Sequence, residues 1–258
     1  MGACLLSGPS GQRFLLFVGT PRSGHSLVGA LLDAHRHAVV SHELDALEQI
    51  RDGASGEQLL ARIVATSRRQ AEEGRGQGKT AAYRFDYRVP GQWQGRVDGA
   101  WRLIGDKKGG GTTSLLAERP ELLDVLRERV GLPLTLLHVV RHPLDNVATM
   151  ARRGSGSVDE ALERFTWLQD RIAALRASTD ARWLTLHHED LVAAPRDELR
   201  RLARDLGLRP PDDWVEAAAE RVYERPHRSR DLVPWTEAQR AAVAELVART
   251  PTLRRYSL

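Results

Sequence analysis

One stretch, residues 14–26 with the sequence FLLFVGTPRSGHS, constrains the fold of this chain more than any other. Residues 14–18 are an apolar run that predicts a strand buried on both faces. A glycine-containing polar turn follows, and from Leu27 onward apolar residues recur at helical spacing. Strand, tight turn and helix are the local plan of a phosphate-binding loop, because the free N–H groups and the positive dipole end of the helix attract an anion.

The spacing of the residues within this loop limits the kind of phosphate chemistry that we expect of it. Gly19, Gly24 and Ser26 match the P-loop pattern, but His25 stands where that pattern has its lysine, and Arg22 is the loop's cation. A nucleoside triphosphatase needs the lysine for the terminal phosphates and a strand-end aspartate for magnesium. The loop is therefore predicted to hold a phosphate without metal-assisted triphosphate chemistry. A plain strand-to-helix turn with incidental glycines is the alternative.

Apolar strand candidates alternate with amphipathic helices along the rest of the chain. This alternation predicts one α/β domain over residues 1–258, a three-layer sandwich with a mostly parallel sheet and helices on both faces, in a P-loop-containing nucleotide-binding fold. Residues 74–100 break the pattern and are predicted to be a loop insertion, either a substrate-binding segment or a surface loop. Further strands are predicted at 38–40, 101–105, 134–140 and 182–187, and helices at 25–35, 44–73 (in two pieces), 112 onward, 120–130, 144–152, 158–178, 195–206, 211–222 and 237–249.

Polar side chains follow several of the predicted strands. Ligands of such sheets bind at the carboxyl ends of the strands. We therefore expect Arg22, Glu43, Lys107 and Arg141 to converge.

Composition excludes several classes of protein. Thirty-eight Lys and Arg against 34 Asp and Glu give a net charge of +4, and with 5% aromatic residues this suits an anionic ligand better than a nucleic acid. No apolar run approaches the ~18–20 residues of a membrane span. Cys4 is the single cysteine, so no internal disulfide or cysteine-based zinc site can form, and a reducing, cytoplasmic setting is predicted. Abundant arginine and alanine hint at a bacterial source, and nothing indicates the oligomeric state.

Four stretches resemble motifs of sulfotransferases that use 3′-phosphoadenosine 5′-phosphosulfate (PAPS), and they occur in that family's order. TPRSGHSLVGALLDAH (20–35) resembles the 5′-phosphosulfate loop, and VVRHPLDNVATMARR (139–153) resembles the 3′-phosphate motif. HHEDLVAAPRDELRRLARDLGL (187–208) is similar to a further family signature. PHRSRDLVPWT (226–236) is similar to the basic segment that closes over the cofactor, so residues 223–235 are expected to take that role.

The subfamily that the chain resembles most is that of the protein-tyrosine sulfotransferases and bacterial relatives with PRSG loops. The resemblance implies that Glu43 is the base and that Arg22 and Lys107 stabilise the transferred group. His42 is the second candidate base, because an imidazole near the site can also take the acceptor proton. Residues implied to bind the cofactor are Arg22, Ser23, Gly24, His25, Ser26, Arg141, Thr149, Arg153, Arg228, Ser229 and Arg230. No metal is implied. Our leading hypothesis is transfer to a hydroxyl, with an amine as the second choice, of a small molecule or glycan.

This chain departs from the family at two residues of that site. His25 replaces the usual threonine of the loop, and His42 replaces an acidic neighbour of the base. We also expect no secretory anchor like that of the tyrosine enzymes. We therefore carry over the cofactor chemistry and leave the acceptor open.

Other readings of these residues stay open. The chain could be a kinase with a degenerate P-loop, or a non-catalytic nucleotide-binding module. Glu43 could be a carboxylate at a helix start, and Lys107 with Lys108 a solvated pair. Arg228 and Arg230 could form a solvated basic loop. Glu189 and Asp190 are expected to be structural, anchoring the helix that follows, and Arg141 could merely cap the sheet.

Overall fold

A computed structural model of the chain describes residues 11–74, 87–154 and 156–258. Cys4 and residues 75–86 of the predicted 74–100 insertion lie outside the described residues. The strands are β1 (Arg13–Val18), β2 (Ala38–His42), β3 (Leu103–Gly109), β4 (Leu134–Val140) and β5 (Arg182–His187). The helices are α1 (His25–Asp33), α2 (Ala46–Arg51), α3 (Gly56–Glu73), α4 (Gly110–Glu118), α5 (Leu122–Val130), α6 (Pro143–Arg153), α7 (Val158–Ser178), α8 (His188–Ala193), α9 (Pro195–Asp205), α10 (Asp212–Ala219) and α11 (Glu237–Arg249).

The described strands form one parallel sheet in the order β2-β3-β1-β4-β5. Alternate residues of β1 face opposite sides of it. Leu15 and Phe17 pack with α1, α9 and α10, while Phe14, Leu16 and Val18 pack with α2 to α5 and the end of α7. The sheet is therefore buried on both faces, and the predicted α/β class with helices on both sides is confirmed.

A third apolar cluster lies beyond the end of β4. It joins Val140 to helices α6, α7 and α11 through residues such as Phe165 and Leu246. Thr236 begins α11 with a capping box, in which its hydroxyl accepts from the backbone N–H of Gln239. This cluster fixes α6, whose first residues follow the strand-end Arg141.

Several predicted boundaries were wrong because polar residues extend the strands. β3 runs to Gly109 rather than ending at residue 105, so Asp106 and Lys107 lie inside it. The glycines that follow open helix α4. Thr113 lies inside α4, and its hydroxyl lies 2.9 Å from the backbone nitrogen of Gly19 and 3.1 Å from that residue's carbonyl oxygen.

Two further differences concern strand ends. β2 extends two residues beyond the predicted 38–40 and includes His42. A short helix, α8, follows β5 directly, where only the later helix at 195–206 was predicted. Among the described helices, none is both long and apolar enough to cross a bilayer.

His138 in β4 is a buried polar residue that is expected to lower the free energy of unfolding. It is 1% exposed, and neither ring nitrogen has a hydrogen-bond partner among the described residues. Burial, and secondarily the charge of Arg176, lowers its pKa to about 3, so the ring is neutral at pH 7. A buried imidazole without partners destabilises the folded state.

We predict that His138→Leu raises the free energy of unfolding by about 1 kcal/mol at pH 7. The gain should grow as the pH falls to 5, because the unfolded histidine takes up a proton below its ordinary pKa of 6.5 while the folded one does not. Denaturant melts of both proteins at the two pH values measure this. A gain that is absent, or that shrinks at pH 5, would contradict the assignment.

Candidate active site

A cleft of about 810 Å³ opens at the carboxyl ends of the strands. It is lined by the β1–α1 loop, the ends of β2 and β3, the start of α4, helix α6 and residues 223–229. Its cations are Arg22, Lys107, Lys108, Arg141, Arg152, Arg153 and Arg225, and among the described lining residues Glu43 is the one acidic side chain. The predicted convergence of Arg22, Glu43, Lys107 and Arg141 is therefore seen, and the cleft is suited to an anion.

The β1–α1 loop carries the conformation of an anion-binding turn. Gly24, the N-cap of α1, has φ 106°, and an added Cβ would lie 2.9 Å from the His188 ring. Arg22 is also left-handed, with φ 71°. The side chain of Ser23 is buried and lies 3.3 Å from the Thr20 hydroxyl, so it points into the protein and only its backbone can face the cleft.

His25 occupies the P-loop lysine position, but it cannot supply that residue's charge. Its Nε2 lies 3.1 Å from the carbonyl oxygen of Val18, and its ring packs edge-on against Phe17. Burial, followed by the charge of Lys107, lowers the pKa of His25 to about 4. The ring is neutral at pH 7. Its contacts with Val18 and Phe17 hold the loop against the end of β1.

Glu43 and Lys107 form an ion pair inside the cleft. The Lys107 Nζ donates to Glu43 Oε1 over 2.9 Å and to the Ser26 hydroxyl over 3.2 Å. The lysine side chain is 3% exposed and the glutamate 34%. His42 Nε2 lies 3.9 Å from the same carboxylate. The Glu43 carboxylate is therefore paired with a buried cation but remains open to solvent and to a substrate.

Backbone strain concentrates at this cleft. Arg22, Glu43 and Asp45 are the non-glycine residues with positive φ in the described part of the chain. Asp45 accepts from Lys108, a cleft residue, over 2.7 Å. Such conformations cost about 1–3 kcal/mol each and persist where the surrounding contacts enforce them, as at functional sites.

Arg141 forms a second cationic site on the other side of the loop. Its Nη1 donates to the Thr149 hydroxyl over 3.1 Å and to the Arg22 carbonyl over 3.2 Å. Its Nη2 donates to the His227 carbonyl over 2.6 Å and lies 3.5 Å from Ser229 Oγ, which in turn lies 2.8 Å from Thr149 Oγ1. Arginine and two hydroxyls are donors suited to a phosphate.

Three further arginines were predicted to bind the cofactor, and one of them lines the cleft. Arg153 lines the cleft, and its carbonyl accepts from Arg22 Nη2 over 3.3 Å. The side chains of Arg228 and Arg230 do not line the cleft, because Arg228 pairs with Asp231 over 3.0 Å and Arg230 with Asp145 over 3.4 Å. Of the predicted 228–230 group, the structure brings Ser229 alone to the cleft.

Tyr87, Tyr223 and His188 line the cleft although no sequence motif singled them out individually. Tyr87 and Tyr223 line it from opposite segments, and burial, followed by the interaction with Tyr223, raises the pKa of Tyr87. His188 is 7% exposed, its Nδ1 has no partner in the described ranges, and burial lowers its pKa to about 4. Its place directly after β5 was the signal that could have revealed it.

Glu189 supports the Arg141 turn from behind. Its Oε1 accepts from the backbone N–H of His142 over 2.9 Å, and its Oε2 accepts from the Tyr256 hydroxyl over 2.7 Å. Asp190 pairs with Arg255. Both carboxylates therefore tie the C-terminal segment to the sheet edge rather than lining the cleft.

Comparison with known proteins points to one family. Residues 134–213, which span β4 to the start of α10, match the model of the sulfotransferase family. No curated protein sequence matches the chain. Over these residues, the match agrees with the sulfotransferase resemblance found in the sequence.

Solved structures share the fold at low identity. The sulfotransferase domain of the Synechococcus PCC 7002 olefin synthase is 16% identical with a TM-score of 0.56, covering 98% of this chain and 99% of that one. The sulfotransferase domain of the curacin biosynthetic pathway is 13% identical with a TM-score of 0.53, covering 91% and 97%. A mouse sulfotransferase, SULT7A1, complexed with PAP is 12% identical with a TM-score of 0.50, covering 95% and 89%.

We predict that Gly24→Ala lowers the free energy of unfolding by about 1–3 kcal/mol, because its φ of 106° is strained for alanine and the new methyl group meets His188. Gly131→Ala is the matched control, since it has φ 63° with open space around it and should cost about 1 kcal/mol or less. Denaturant melts compare the two. Equal costs would show that the loop is not held against His188.

Proposed function

We propose, on the premise of a sulfotransferase family match at residues 134–213 and a sulfotransferase fold, that this protein transfers a sulfuryl group from PAPS to a hydroxyl of a small molecule or glycan. The observation that carries the proposal is one cleft with two separate anion sites. The loop with Lys107 is one, and Arg141 with Thr149 and Ser229 is the other.

The donor set fits the charges of PAPS. The loop N–H groups, Arg22 and Lys107 suit the 5′-phosphosulfate, because backbone donors at a helix start bind anions without a metal. Arg141, Thr149 and Ser229 suit the 3′-phosphate. The hydrogen bond from Arg141 Nη1 to the Arg22 carbonyl couples the two sites. A fold neighbour solved with PAP supports this choice of nucleotide.

The chemistry follows from the position of Glu43. The acceptor oxygen forms a bond to sulfur while the bond from sulfur to the bridging phosphate oxygen breaks, and that oxygen keeps the electron pair. The acceptor proton passes to the Glu43 carboxylate, whose Oε1 lies 2.9 Å from Lys107 Nζ. Lys107 and Arg22 offset the charge that grows on the sulfuryl group and the leaving oxygen. His42, 3.9 Å from the carboxylate, is the second candidate base.

The kinase alternative fits the cleft less well. His25, at the lysine position, is neutral at pH 7 and bonded to the end of β1. Asp106, on the strand beside β1, is buried and accepts from Ser41, Leu44 and Ala46, so its carboxylate is turned away from the cleft. The non-catalytic alternative leaves the strained, paired Glu43 without a purpose.

We predict that adenosine 3′,5′-bisphosphate binds with micromolar affinity in the absence of metal, and that ATP with magnesium binds far more weakly. Calorimetric titration of the wild-type protein with both ligands measures this. A preference for ATP with magnesium would contradict the proposal and favour the kinase.

We predict that Glu43→Gln lowers kcat by about 10²- to 10⁴-fold, the usual contribution of a general base. The affinity for adenosine 3′,5′-bisphosphate should change by less than about twofold, since the carboxylate is needed only for the transfer step. The assay is sulfuryl transfer from labelled PAPS to the best acceptor of a hydroxyl-compound screen. Glu198→Gln, a surface residue paired with Arg201, is the control. Unchanged turnover in Glu43→Gln would remove Glu43 from the mechanism.

A further inference from the structure

We propose that Asp106 is a positioning residue that holds Glu43 in its reactive place, an inference that rests on the proposed sulfuryl transfer. Asp106 does not line the cleft and so does not touch the reacting atoms. It acts on the turn that carries Glu43, residues 41–46.

The Asp106 carboxylate binds both ends of the turn. Its Oδ1 accepts from the Ser41 hydroxyl over 2.7 Å and from the backbone N–H of Leu44 over 3.0 Å. Its Oδ2 accepts from the backbone N–H of Ala46 over 3.1 Å. Asp106 and Ser41 are at most 1% exposed, so water does not compete for these bonds.

These bonds explain how the turn keeps a costly shape. Glu43 has φ 60° and Asp45 has φ 64°, and the longer side chain of Glu43 disfavours this region more than that of Asp45. The donors that Asp106 fixes lie on each side of Glu43, and the Glu43 N–H donates to the Lys107 carbonyl over 2.9 Å. The residue is therefore held from its neighbours and from β3.

Two consecutive residues of β3, Asp106 and Lys107, contact the turn from opposite faces of the sheet. Side chains alternate along a strand, so Asp106 and Lys107 point to opposite faces. Asp106 binds the backbone at the start of α2, and Lys107, which packs against Gly29 of α1, meets the Glu43 carboxylate. Backbone and side chain of Glu43 are thus fixed by neighbouring residues of one rigid strand.

The outer side of the turn is held separately. The side-chain amide of Gln70 accepts from the His42 N–H over 2.9 Å and donates to the His42 carbonyl over 2.7 Å. This clamp closes the free edge of β2 just before Glu43. It leaves the inner side to Asp106, since no other described side chain is recorded binding the Leu44 and Ala46 amides.

Asp106→Asn tests the role with the least change of shape. An amide has one oxygen, and its NH₂ group would face either the Ala46 N–H or the two donors on Oδ1. We therefore expect the turn to lose hydrogen bonds that enforce its left-handed backbone conformation, while the volume of the side chain stays the same.

Asp33→Asn is the matched control. Asp33 is also a 1% exposed carboxylate, and its Oδ1 accepts from the Val40 N–H over 2.8 Å and the Ser67 hydroxyl over 2.7 Å. It thus binds the same strand β2 through the same kinds of donor, but upstream of the turn. Any loss that comes from disturbing β2 in general appears in both variants.

The experiment is a double-mutant cycle with Glu43→Gln. We expect Asp106→Asn to lower kcat by about 30-fold or more while the dissociation constant of adenosine 3′,5′-bisphosphate stays within about twofold. In the Glu43→Gln background the same substitution should change kcat by less than about threefold, because the group it positions is gone. Asp33→Asn should leave kcat within about threefold of wild type.

Three results would overturn the proposal: no loss of kcat in Asp106→Asn, the same loss in Asp33→Asn, or an equal further loss in the Glu43→Gln background. Should Asp106→Asn fail to fold, Ser41→Ala decides, since it removes one donor and leaves the carboxylate, and it should lower kcat by about three- to tenfold without altering nucleotide binding. Wild-type protein that does not bind adenosine 3′,5′-bisphosphate would instead overturn the proposed function itself.

Discussion

The parallel direction of the described strands is the constraint on which this site depends. It places every strand end at one edge, so Arg22, Lys107 and Arg141, which are far apart in the sequence, come from three neighbouring strands and share a cleft. Such a gathering of cations is costly unless each is neutralised or bonded. Lys107 is paired with Glu43, and Arg141 is bonded to carbonyls and hydroxyls, which leaves its charge available to a ligand.

Much of this arrangement could be predicted because its signals are local or follow a general rule of sheets. Long apolar runs revealed β1 and β4, since a strand covered on both faces must be apolar throughout. The glycine spacing at residues 19–26 indicated an anion-binding turn. The strand-end rule then placed the polar residues that follow each strand beside this turn, without any knowledge of the order of the strands.

The parts that could not be predicted depend on long-range contacts. β3 continues through Asp106 and Lys107 because the residue 41–46 turn and Glu43 satisfy those charges, and no feature near residue 106 signals this. Tyr87 reaches the cleft from an irregular segment whose sequence has no helical periodicity, so its position could not be predicted. Ser229 lies in a 3₁₀ turn (Ser229–Leu232) that points its side chain inward, so both neighbouring arginines point elsewhere.

The central claim is that the second anion site, formed by Arg141 with Thr149 and Ser229, binds the 3′-phosphate of the nucleotide. The most direct test compares the affinities of adenosine 3′,5′-bisphosphate and adenosine 5′-monophosphate in the wild type and in Arg141→Ala. Two or three charge-assisted hydrogen bonds at about 1.5–3 kcal/mol each predict a preference for the bisphosphate of at least 100-fold in the wild type. That preference should fall below about tenfold in the variant, with 5′-monophosphate binding little changed. An equal preference in both proteins would contradict the account.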